Sequence, residues 1–137
     1  MRYKGGNCLG SLLKWRVGTL LRTLIREVLS TEIGDKIYPL IAPENTTGDF
    51  IVYQRTGYQK ADVKEGVYSD TAFVVITIVS DNYDTGIALA EKLDGALTGV
   101  NKVTIDGVEY EVVFQMVDGS EEFQDFKYIQ NIKFSIC

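Results

Sequence analysis

Histidine is absent from this 137-residue sequence. The side chain that most often acts as a general base near neutral pH, and that most often ligates zinc through nitrogen, is therefore missing. Cysteine occurs twice, as Cys8 and Cys137, near opposite ends and with no metal-ligand or redox spacing, so both read as reduced bystanders. Long apolar runs are lacking too. Arg16, Arg22 and Arg26 interrupt the most hydrophobic segment, far short of the roughly 20 apolar residues a membrane span needs. Lys14 and Arg16 likewise break the stretch that follows the basic N-terminus, which argues against a secretory signal and for a protein made in the cytoplasm. Positive charge is scarce: 14 Lys and Arg stand against 19 Asp and Glu, a formal charge of -5, with no basic stripe of the kind that wraps nucleic acid.

What remains is ordinary globular material, 45% hydrophobic and 24% charged, of a length that suits one domain. Residues 1–16 carry glycines and basic residues without periodicity and read as an N-terminal arm; residues 17–137 read as a single domain. Leu13, Val17, Leu20, Leu21, Leu24, Ile25 and Val28 recur at helical spacing, which predicts a helix centred on residues 19–30 and stopped by Gly34. Both prolines, Pro39 and Pro43, then lead rigidly into a strand, Phe50 to Arg55.

The polar stretch from Tyr58 to Tyr68 follows, and reads as either a protruding hairpin arm or a mobile loop. The next strand, Ala72 to Ser80, is apolar on both sides and asks for cover on both faces. Val74, Ile76 and Ile78 are assigned to the side away from the helices, where a neighbouring subunit would cover them. Asp81 and Asn82 cap a second helix, about residues 84–97, expected to bury Ile87, Ala90, Leu93, Ala96 and Leu97. Asp106-Gly107 predicts a tight hairpin. After an acidic turn over residues 118–125 the last strand alternates, with Phe126, Tyr128, Ile132, Phe134 and Ile136 on one side. The expected fold is α+β, a mostly antiparallel sheet of four to five strands with two amphipathic helices packed on one face.

Chemistry finds little support. Glu121, Glu122 and Asp125 cluster ahead of the last strand, but acids in a turn more often form a solvated edge than a catalytic pair with shifted pKa values. The serines have no histidine to activate them and no nucleophile elbow. The glycines form no phosphate loop, and Tyr53, Tyr58, Tyr68 and Tyr83 read as strand and interface residues rather than a base-stacking platform. No catalytic, metal or cofactor site is assigned.

The order of elements carries a resemblance. Tyr38-Pro39, Ala42-Pro43, Ile51-Val52-Tyr53-Gln54, Val74 to Ser80 and Ala88-Leu89-Ala90, in that order, resemble the tail completion family of long-tailed bacteriophages, also called tail terminator or head-to-tail joining proteins. The likeness spans residues 19–136 and no single residue in it is diagnostic. Asp49 stands where such chains commonly have proline, and the arm precedes their usual start, which means either extra subunit contacts or an over-assigned start.

The resemblance implies a structural protein of the virion tail or neck, forming a hexameric ring that caps the head-proximal end of the tail tube. Its partners would be itself, the tail tube protein and the head connector, with DNA passing through unbound and no cofactor. Tyr58, Lys60, Asp62, Lys64 and Glu65 would then supply a subunit or tube interface, and Glu121, Glu122 and Asp125 would line the lumen or, equally simply, the outer rim. The competing classes are a small-ligand-binding α+β domain and a compact enzyme, either of which requires a concave pocket with convergent polar groups.

Overall fold

The computed structural model describes residues 15–62 and 68–137, with the backbone alone for residues 59–62 and 68–70. The chain runs α1 (Val17–Ile33), β1 (Ile37–Pro39), β2 (Phe50–Asp62), β3 (Tyr68–Ser80), α2 (Tyr83–Leu97), β4 (Gly99–Ile105), β5 (Val108–Gln124) and β6 (Lys127–Ile136). One six-stranded sheet has the order β1-β2-β3-β6-β5-β4. β1 joins β2 in parallel and every other pair is antiparallel, so the fold is α+β with a mixed sheet. The expected four to five antiparallel strands therefore fall short. The lead-in to the sheet is itself a strand, and Pro39 is tolerated because β1 is an edge, where a missing N–H breaks no second ladder.

Local chemistry explains the boundaries. α1 ends where Gly34 adopts φ 62 and donates its N–H to the Ser30 carbonyl at 2.9 Å. α2 starts at Asn82, whose side-chain oxygen accepts from the Thr85 N–H at 3.0 Å. Asp106 and Gly107 both take positive φ, 53 and 79, as a tight two-residue hairpin requires.

Burial differs from the sequence reading at two places. In β3 it is Ala72, Val74, Ile76 and Ile78 that point into the core beneath the helices, while Phe73, Val75 and Thr77 remain half-exposed on the outer face. With both sides apolar, alternation alone does not say which one the helices cover. In α2 the buried residues are Gly86, Leu89, Leu93 and Leu97; Ile87 and Ala90 are half-buried and Ala96 is exposed. Gly86 faces the sheet, where a Cβ would lie in ordinary van der Waals contact with Ser80 at 3.5 Å.

The core joins these helix residues to Ile51, Tyr53, Phe114, Ile132, Phe134 and Ile136. α1 lies against β1 and β2 at one edge of the sheet and against β4 at the other. The sheet thus curls around the helices, which corrects the flat picture of two helices on one face.

Candidate functional site

β4 pairs with β5 only from Val108 to Phe114, and beyond that β5 has β6 alone as its neighbour, out to the pair Gln124 and Lys127. The expected acidic turn over residues 118–125 is therefore mostly strand, and the turn itself is Asp125-Phe126, so Phe126 stands exposed before the last strand instead of on its apolar side as expected. A register shift between Met116 and Asp118 bends the strand where it loses its outer neighbour. Sequence reasoning missed this strand because Asp118, Gly119, Ser120, Glu121 and Glu122 have the composition of a turn, and the partner strand overrides that propensity.

The placement separates the acidic candidates. Neighbours on a strand point to opposite faces. Glu121 lies on the helix side, accepting from the Tyr83 hydroxyl at 3.0 Å and from the Gln130 amide at 3.0 Å. Glu122 lies on the outer side, accepting from the Asn131 amide at 3.1 Å, while Asn131 accepts in turn from Thr77 at 2.8 Å. The Tyr83 phenol is held above its ordinary pKa, first by its hydrogen bond to the Glu121 carboxylate and then by desolvation. Asp125 stands at the hairpin tip, so the three carboxylates do not form one cluster.

On the arm, β2 and β3 remain paired out to Asp62 and Tyr68, past Ala72, where β3 stops pairing with β6. A two-stranded ribbon therefore extends beyond the rest of the sheet, which favours the hairpin reading for its described backbone. Tyr58 does not belong to it, since its side chain packs partly buried against the core. Lys60 and Asp62 lie on the ribbon's backbone, and Lys64 and Glu65 lie outside the described residues. Of the two cysteines, Cys8 lies outside the described residues, and the Cys137 backbone exchanges hydrogen bonds with Val113 at 2.9 Å.

Two further surfaces stand out, the first without a signal in the sequence and the second read there as an uncovered β3 face but assigned to the wrong residues. The first is an open groove of about 530 Å³ between α2 and the β5–β6 hairpin, floored by Ile87, Ala90, Met116 and Ile132 and edged by Glu91, Asp94 and Glu121. The second is the outer sheet face, where no helix among the described residues covers Phe73 and Val75, and Lys133 sits over the Phe73 ring at 5.5 Å. No helix among the described residues is long and apolar enough to cross a membrane.

No family model matches the chain, and no curated protein does. Among solved structures the fold is similar to that of a chain in the virion of a native gene transfer agent particle, with a TM-score of 0.62 and 16% sequence identity. The likeness covers 85% of this chain and 92% of that one, so it extends over the domain as a whole.

Proposed function

We propose that this chain is a structural protein of a phage or phage-like particle. Copies form a hexameric ring at the head-proximal end of the tail tube, end its growth and join it to the head connector. The observation that carries this reading is the fold shared with a virion chain over most of both lengths. It agrees in kind with the resemblance read from the order of elements in the sequence. Support also comes from the outer face left uncovered by the described residues, the projecting β2–β3 ribbon and the long β5 edge, which give one small domain several separate surfaces for neighbours.

In this reading Lys60 and Asp62 of the ribbon, with Lys64 and Glu65 beyond the described residues, contact the next subunit or the tube, fixing register more than affinity. Of Glu121 and Glu122 at most one faces the lumen, because they lie on opposite faces of β5. A carboxylate facing the lumen repels phosphate and keeps a passing duplex from binding. Deleting the gene tests the role: tails of unregulated length and heads without tails are expected, whereas infectious particles with normal tails would reject it.

A further inference from the structure

The β5–β6 hairpin turns on two residues, Asp125 at φ 52 and Phe126 at φ 63. Two-residue turns of this kind favour asparagine, aspartate and glycine, and a bulky side chain at positive φ is a steric outlier. Phe126 is also the most exposed large hydrophobic residue described, at 88%. It stays out of the aromatic cluster beside it, in which Tyr128 packs against Phe123 at 4.9 Å and Tyr83 at 5.6 Å. The fold thus carries backbone strain and exposed apolar area at one residue with no return inside the subunit. Such a position is where a contact outside the subunit is expected.

A second strained, exposed apolar residue lies at the far edge of the sheet. Leu40 has φ 65, held by its N–H donating to the Tyr53 carbonyl at 2.9 Å, and it is 66% exposed. With Trp15, Gly18, Pro39, Tyr53 and Arg55 it lines a hollow of about 270 Å³. An apolar cavity of about 150 Å³ already accepts benzene, so the hollow has room for a phenyl ring. Its one charged lining residue is Arg55, whose guanidinium lies over the Trp15 ring at 5.1 Å. The hairpin tip carries the opposite sign: Asp125 adjoins Phe126, and Lys127 on its other side is already paired with Asp81.

We propose that Phe126 of one copy inserts into the hollow between Trp15, Leu40 and Arg55 of the next copy. The patch and its receptor are different surfaces of the same chain, which is the condition for a head-to-tail contact that closes into a ring. Shape supplies the fit, and the acidic tip against Arg55 supplies orientation. The inference rests on the ring reading and names which surfaces meet in it.

Photo-cross-linking of assembled particles tests it, with a benzophenone side chain in place of Phe126 and a mixture of isotope-labelled and unlabelled full-length copies. Adducts between copies at peptides containing Trp15 or Leu40 are expected. Adducts at another surface of a second copy, or with a different protein, overturn the inference while leaving the ring standing. No contact between copies anywhere in the particle removes the ring and the inference together. Two variants guard against simple misfolding, because each replaces a strained residue by one that tolerates positive φ. Phe126→Gly and Leu40→Asp should keep or raise the subunit's melting temperature and weaken self-association at least tenfold. Wild-type association of either variant overturns the proposal.

Discussion

Phe114 of β5 and Phe134 of β6 meet edge to face, with ring centroids 5.6 Å apart and planes at 73°. Both are fully buried, at 1% and 0% exposure. Aromatic pairs favour this geometry because the positive edge of one ring meets the negative face of the other. The pair sits where the last two strands close over the helices, so it binds the end of the chain into the core. Phe134→Ala should cost about 3–5 kcal/mol by opening a cavity there, measured by urea unfolding. Val100→Ala, at a side chain 62% exposed, should stay within about 0.5 kcal/mol. Equal effects from the two would show that the burial pattern is wrong.

The helices are linked at the surface by Lys92 of α2, whose ammonium donates to the Glu32 carboxylate of α1. That hydrogen bond, opposed by a smaller desolvation effect, holds Glu32 below the usual carboxylate pKa. A depressed folded-state pKa gives a stabilising contribution that is present above the unfolded value and is lost as pH falls through the folded one. At an exposed pair the effect on stability is small, so the direct reading is an NMR titration. Glu32 should titrate below an ordinary glutamate and shift upward in Lys92→Met, which removes the donor and the charge.

Much of the fold was legible from spacing and capping. Leu20, Leu24 and Ile25 marked α1, Asn82 marked the start of α2, and Asp106-Gly107 marked the β4–β5 hairpin. What escaped were features set by partners distant in sequence. β1 is three residues long and pairs in parallel with β2 across a loop, leaving no local pattern. The far half of β5 looks like a turn and becomes strand because β6 is there to pair with it. Of the candidate site, the arm was open between a hairpin and a mobile loop in the sequence, and the strain at Phe126 was not legible, since φ is not written in residue type when the turn lacks glycine.

The ribbon gives a prediction for assembly. Replacing Lys60 and Lys64 together by glutamate should block incorporation into particles. Circular dichroism and thermal unfolding of the subunit should stay near wild type, within about 0.5 kcal/mol. Normal titres of infectious particles from the double variant would argue against a contact there.

Opposite placement of Glu121 and Glu122 predicts unequal consequences for the genome's passage. Glu121→Lys and Glu122→Lys, made singly, should differ in how far they slow ejection from completed particles, because only the one facing the lumen meets the duplex. The salt dependence of ejection should rise in that variant, as an added cation binds phosphate. Equal and normal ejection in both would remove the lumen assignment.

The central claim is where the protein sits, and cryo-electron microscopy of purified particles addresses it directly. The account predicts density that fits this curled six-stranded domain, repeated around the axis, in one ring between the tail tube and the head connector. Particles in which that position is filled by a different chain, with this domain elsewhere or absent, would contradict it.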